Sequence, residues 1–209
     1  MEINTKSGPV FRPGNFEITD KAVSFCSFRS GAKILDIGCG SGATVQYLTE
    51  NYSFDVFGID KHYKFTGEQI NLAAASGEEI PFKDEYFDGI TMECSFTVME
   101  NQASVLNECR RVLKPDGYLM ISGIYARREA AQFTGCIGLI EKKETLAQKI
   151  ENNGFMLKQF EDFTHMLQTY WGQLILNHGA KNFYCSLGIN PEVLKKVKCG
   201  YFLIIAQKR

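Results

Sequence analysis

The stretch Ala32-Lys33-Ile34-Leu35-Asp36-Ile37-Gly38-Cys39-Gly40-Ser41-Gly42-Ala43 decides how this chain folds. Ile34, Leu35 and Ile37 form an apolar run of the kind a parallel sheet buries on both faces. Glycines 38, 40 and 42 end the run, and a helix-like segment follows. Strand, tight turn and helix start, in that order, make a nucleotide-binding α/β unit. Glycine accepts backbone angles that a Cβ forbids and lets a ligand approach the main chain. The free N–H groups opening the next helix can then face a carboxylate or another polar group. Asp36 sits just before the first glycine. An anion there disfavours a diphosphate and favours a ligand carrying an ammonium and a sulfonium.

Outward from this unit, strand and helix patterns alternate. Thr19-Asp20 can cap a helix over roughly 20–29. The first strand covers 32–37, and its helix runs to about Asn51. Phe54 to Asp60 alternates and ends on an acid, as a second strand would. Lys61 to Glu68 is at most a short helix, Ile70 to Ala74 a third strand, and Phe87 to Glu93 a fourth. Val105, Leu106, Cys109 and Val112 recur at helical spacing. Lys114-Pro115-Asp116-Gly117 reads as a turn before a fifth strand over 118–122. A helix over 143–152, a strand over 155–163, a helix over 165–178 and a strand over 200–207 complete the series. The expected fold is α/β: a doubly wound, mostly parallel seven-stranded sheet with helices on both faces and the last strand antiparallel.

At 209 residues, one domain is expected over 1–209. Within it, 1–30 forms an N-terminal cap and 125–185 the substrate-side elements, because parts of a scaffold without motifs carry specificity. A net charge of -1 gives no general attraction to nucleic acid or an anionic membrane. No apolar segment is long enough for a bilayer, and Met1-Glu2-Ile3-Asn4-Thr5-Lys6 is not a secretory start, so a cytoplasmic location is expected. The seven cysteines are odd in number, widely spaced and without C-x-x-C, which argues for reduced thiols rather than disulfides or a metal knuckle.

Four segments together resemble the class I S-adenosylmethionine-dependent methyltransferases. Ile34 to Gly42 is similar to the family's first motif, and Asp60 stands at the end of the second strand. Gly77 to Asp88 is similar to the segment that reaches the adenine and enters strand four. Glu108 to Leu119 is similar to the family's helix–turn–strand element. The resemblance covers about 30–125 closely. It implies methyl transfer from S-adenosylmethionine, leaving S-adenosylhomocysteine, to a small molecule. It further implies cofactor contacts from Asp36, Gly38, Cys39, Gly40, Asp60, Lys61, Ser76, Gly77, Glu78 and Glu93. Asp60 would accept from both ribose hydroxyls, since a carboxylate has two acceptor oxygens. Ser76 stands where many members carry an acid beside the adenine amino group and is a weaker acceptor. The span between Asp60 and Glu78 is short for the family, so the second helix must be stunted.

Displacement at a sulfonium methyl mainly needs alignment and desolvation; a general base is needed only for a protonated nucleophile. No motif names that base. His165, Tyr125 and Tyr170 are the candidates, each also readable as an ordinary packed or exposed residue. Arg127-Arg128 could meet an anionic substrate or stand solvated. No metal is expected; convergence of Cys94, Cys136 and Cys185 or Cys199 on a metalloid is a narrower possibility. The expected partner is a small molecule, with neither nucleic acid nor membrane, and the chain a monomer or homodimer. Two other readings compete. One is an NAD(P)-dependent oxidoreductase, whose loosened fingerprint fits Gly38-x-Gly40-x-x-Ala43. The other is a non-catalytic cofactor-binding assembly helper on the same fold.

Overall fold

The computed structural model describes residues 4–5, 8–9, 12–62, 71–134, 137–188 and 190–209. The glycine turn divides β1 (Lys33–Ile37) from α2 (Ala43–Tyr52), with α1 (Glu17–Cys26) ahead of them. β2 (Asp55–Asp60), β3 (Leu72–Ala74) and β4 (Phe87–Glu93) follow, then α3 (Gln102–Val112) and β5 (Leu113–Ala126). The chain closes with α4 (Lys143–Asn152), β6 (Phe155–Asp162), α5 (Thr164–His178), α6 (Ala180–Leu187), α7 (Pro191–Val197) and β7 (Cys199–Lys208).

The seven strands lie side by side in the order β6-β7-β5-β4-β1-β2-β3. β7 runs antiparallel to both of its neighbours, and the β5-to-β3 side pairs in parallel. Val105, Leu106, Cys109 and Val112 of α3 and Leu146 and Ile150 of α4 bury against one face. Ile18, Ala22 and Cys26 of α1, Leu167 of α5, and Val45 and Leu48 of α2 cover the other. Doubly wound layering therefore holds as expected. The sheet's carboxyl edge, where β1, β2 and β4 end, is where open α/β sheets place their ligands.

Three local expectations need correction. The first helix spans Glu17–Cys26 rather than 20–29, because Thr19 is buried and its hydroxyl serves another residue instead of capping. The fifth strand begins at Leu113 and runs on to Ala126. Phe87 pairs with Leu113 and Gly89 with Tyr118, so Lys114–Gly117 bulges out between paired positions rather than preceding the strand. Finally, α6, α7 and a small hairpin (Ala131–Gln132 with Leu139–Ile140) were not anticipated. The expected short helix over 61–68 and the start of the third strand fall largely outside the described residues.

Aromatics fasten α1 and the residue before it to α2. Phe16 stacks on Tyr47 with ring centroids 3.8 Å apart, and Asp20 Oδ1 accepts from the hydroxyls of Tyr47 and Tyr52 at 2.8 Å each. Trp171 of α5 meets Phe183 of α6 edge-on at 5.6 Å. No helix among the described residues is long and apolar enough to cross a membrane.

Candidate active site

The glycine turn is tied to the strand beside it. Gly38 and Cys39 both donate to the Ile59 carbonyl, at 2.8 and 3.1 Å, so the turn cannot drift from the end of β2. Gly38 has φ +78°, and a Cβ there would stand 2.4 Å from Ser95 Cβ. Ser95, just past β4, donates to the Ile37 carbonyl at 2.7 Å. The ends of β1 and β4 thus touch through a contact that admits no side chain. Gly38→Ala should destabilise the fold by about 1–3 kcal/mol, from the sum of strain and overpacking. Chemical denaturation checks this; an unchanged midpoint would mean that the turn yields easily.

Two cavities flank the turn. The first, about 280 Å³, is bounded by Ile37, Asp60, Ser76, Gly77, Met99 and Val105, among others. Asp60 is preset here: its Oδ2 accepts from Gly40 N–H at 3.0 Å and its Oδ1 from His62 N–H at 2.8 Å. One donor on each oxygen fixes the carboxylate and leaves lone pairs free. Ser76 Oγ accepts from Glu78 N–H at 3.2 Å, and Glu78 Oε1 accepts from Asn101 N–H at 2.9 Å. Glu78 therefore fastens this loop to the start of α3. Lys61 pairs with Glu100 at 3.1 Å, both residues lining the same cavity.

The second cavity, about 230 Å³, is lined by Arg12, Asp36, Gly38, Cys39, Gly40, Ser41, Ala43, Thr44, Glu93 and Cys94. Gly38, Glu93 and Cys94 line both cavities, which makes the two a single cleft with a shared floor. All ten expected cofactor residues except Asp36, Cys39 and Gly40 border the first half, and those three border the second.

Glu93 is held from three directions. Arg12 of the cap pairs with its Oε2, Thr44 of α2 donates to the same oxygen at 2.7 Å, and Thr19 of α1 donates to Oε1 at 2.5 Å. Arg12 also donates to Asn15 O, Thr44 Oγ1 and Thr19 Oγ1, and lies 4.9 Å over the Phe16 ring. Burial works against the Arg12 charge, yet Glu93, Tyr201, Cys94 and Asp36 together hold its pKa above the usual value. Sequence reasoning missed Arg12. Its neighbours Pro13 and Gly14 mark irregular chain, and nothing local points to a partner 81 residues away.

Asp36 differs from Glu93. It is buried and lines the second half of the cleft. Burial first, then the Glu93 charge, push its pKa well above the carboxylate range; Arg12 opposes this and Asp60 adds to it. Burial, with the charges of Asp36 and Asp60, likewise pushes the Cys39 thiol up. Cys94 Sγ lies 2.9 Å from the hydroxyl of the buried Tyr201.

The three general-base candidates stand elsewhere. The Tyr125 hydroxyl is bonded to Asp162, its ring packs edge-on to Phe160, and burial first, then Asp162, push its pKa up to about 12. His165 is exposed next to Phe163, and Tyr170 is half-buried on α5. None of them lines either half of the cleft. No group of three or more His, Cys, Asp or Glu among the described residues could hold a metal ion, and Cys136 lies outside those residues. A neighbouring cavity of about 460 Å³ shares Val98, Met99 and Glu100 with the cleft and continues to Gln132, Phe133, Gly138, Leu139 and Lys149.

Residues 35–121 match the family model described as a methyltransferase domain. The chain is 21% identical to a sarcosine/dimethylglycine N-methyltransferase of Aphanothece halophytica, over 94% of this chain and 78% of that one. In structure it is similar to the [4+2]-cyclase SpnF, with a TM-score of 0.75 and 17% identity over 99% of this chain and 85% of the other. It is also similar to a phosphoethanolamine N-methyltransferase of Haemonchus contortus in complex with phosphomonomethylethanolamine and S-adenosylhomocysteine. There the TM-score is 0.71 and the identity 15%, over 95% of this chain and 54% of that protein.

Proposed function

We propose that the chain is a class I S-adenosylmethionine-dependent methyltransferase, an enzyme that moves a methyl group from that donor, and that its acceptor is a small molecule methylated at nitrogen. The single observation that carries the donor assignment is Asp60, a carboxylate fixed by two backbone N–H groups at the end of β2 beside the glycine turn. The residues fit the donor chemically. Asp60 offers acceptors to a ribose, and Ile37, Gly77 and Val105 offer apolar walls to a purine. The buried Asp36 carboxyl offers a counter-charge to an ammonium. When bound, the donor supplies a methyl group on a sulfonium, already an excellent leaving group. The chain's own work is to hold, orient and dry the reactants.

Glu93 serves as an anchor in this reading. Its carboxylate is paired with Arg12 and accepts from the hydroxyls of Thr19 and Thr44 as well, so its oxygens are committed to holding three elements together. The acceptor reaches the cleft from the cavity beside Val98–Glu100, whose far wall comes from the 125–185 region. A nitrogen acceptor is supported by the N-methyltransferases named above among the similar proteins. The likeness to a cyclase is a reminder that this fold alone does not fix the reaction. Neither a net charge of -1 nor the cleft provides a surface for nucleic acid, and free thiols suit a cytoplasmic setting.

Two measurements test this reading. Asp60→Ala should weaken S-adenosylmethionine binding by about 1–3 kcal/mol, the scale of lost hydrogen bonds to a charged group. Unchanged affinity by calorimetry would remove the ribose from this site, and tight NADH binding would return the oxidoreductase reading. Release of S-adenosylhomocysteine across a panel of small amines, set against hydroxyl and carbon acceptors, tests the nitrogen. Binding without turnover across the whole panel would favour an assembly helper.

A further inference from the structure

We propose that Glu108 and Arg111 of α3, neither of which lines the cleft, form a positioning pair: they fix the loop over 75–82 and thereby set how sharply the protein tells the donor's base from a related one. The inference rests on the donor assignment above. Arg111 Nε and Nη2 donate to the two oxygens of Glu108 at 2.7 Å each. The joined pair then grips the main chain. Glu108 Oε2 accepts from Ile80 N–H at 2.9 Å, and Arg111 Nη2 donates to Ile80 O at 2.9 Å. Arg111 Nη1 donates to Phe82 O and to Asp84 Oδ1, at 2.8 Å each. A guanidinium has five N–H groups, and all five are engaged. The peptide groups of Ile80, which in a sheet would pair with another strand, are met here by side chains.

The gripped segment continues directly into the wall of the first half of the cleft, where Ala75, Ser76, Gly77 and Glu78 stand. Two further ties hold that wall. Ala75 N–H donates to Asp60 O at 3.2 Å, and Glu78 Oε1 accepts from the N–H of Asn101, the N-cap of α3. Gly77 lies between these ties and packs closely, since a Cβ there would stand 3.0 Å from Ile37 Cγ2. The same helix that carries the pair contributes Val105 to the cavity. One helix therefore supplies an apolar wall for a base and, through Glu108 and Arg111, the height of the polar loop beside it. Hydrogen-bond selectivity needs groups held to about half an ångström. A free loop would shift to suit either of two bases; this one is strapped at both ends of α3.

S-adenosylhomocysteine and S-inosylhomocysteine isolate the effect, because they differ only at the edge of the base. Calorimetry should show that the wild type prefers the adenine ligand by about tenfold or more, the scale of one or two hydrogen bonds. Arg111→Lys keeps the charge but loses the planar fork, so it cannot hold Glu108 and two carbonyls together. It should bring the preference to within about threefold while changing the affinity for the inosine ligand little. Arg111→Met with Glu108→Leu removes the pair without stranding a charge and should act in the same way. A role confined to folding would weaken both ligands equally and leave the ratio unchanged. A ratio that survives in either folded variant, loss of folding in both variants, or no preference in the wild type overturns the proposal while leaving the donor assignment standing. Failure of the wild type to bind either ligand overturns both.

Discussion

Glu93→Ala is expected to lower the unfolding free energy by about 3–5 kcal/mol, the largest effect of any single change in the cleft. The reason is the charge left behind rather than the bond removed. Arg12 is buried and stays protonated, and Asp36, carrying a raised pKa, is a poor substitute counter-ion. Without Glu93, the hydroxyls of Thr19 and Thr44 also lose their acceptor. Three elements meet at this carboxylate, so the loss spreads to the docking of the cap and of α2. Replacing both partners with apolar residues of similar volume, Arg12→Met with Glu93→Leu, should recover most of the stability, since no charge is then stranded. Urea denaturation of the two variants decides it. A single variant within about 1 kcal/mol of wild type would mean that water reaches the guanidinium and the site is effectively open.

Donor binding should strengthen with pH by up to about tenfold per unit, until the pKa of Asp36 in the empty cleft is passed. The sign follows from the two states. In the empty protein, burial and then the Glu93 charge disfavour the Asp36 carboxylate, Arg12 partly offsets this, and Asp60 adds to it. Cys39 and Cys94 line the same cavity; burial, with the charges of Asp36 and Asp60, raises the pKa of Cys39 and keeps its thiol neutral. A bound ammonium favours the carboxylate, so the pKa falls on loading and a proton is released. Between the loaded and the empty pKa, higher pH therefore drives binding; above the empty pKa the dependence is lost. The same shift acts on folding with the opposite sense. A folded pKa raised above the ordinary 3.8 gives a contribution that is fully present at low pH and is lost as pH climbs through the raised value. Calorimetry in buffers of different ionisation enthalpy measures the proton directly, and Asp36→Asn should abolish it. A pH-independent affinity in the wild type would show that Asp36 is already ionised in the empty cleft.

The parts of this site legible in the sequence are those whose signal is local. An apolar run broken by three glycines specifies β1 and its turn, and an acid closing the next alternating segment specifies Asp60. Short-range backbone sterics and hydrophobic periodicity decide both, so no tertiary knowledge is needed. Arg12 and Thr19 are different. Thr19 has the residue type of a helix cap, but its hydroxyl is spent on Glu93, a partner 74 residues away, and the helix starts without it. Charge pairs across such distances leave no spacing to detect. The 125–185 region reads as substrate side only through its lack of motifs, and a lack of motifs holds no information on the hairpin or α6. α7 does carry a local signal. Asn190 accepts from the N–H of Glu192 and Pro191 occupies the first helical position, a pattern that marks a helix start.

The chain has one tryptophan, and the structure places it against Phe183 between α5 and α6, where it lines neither half of the cleft. Indole emission is thus a private optical reporter of that outer pair of helices, while circular dichroism averages over the whole molecule. Recording both signals in one melt separates loosening of the periphery from collapse of the sheet without attaching any dye.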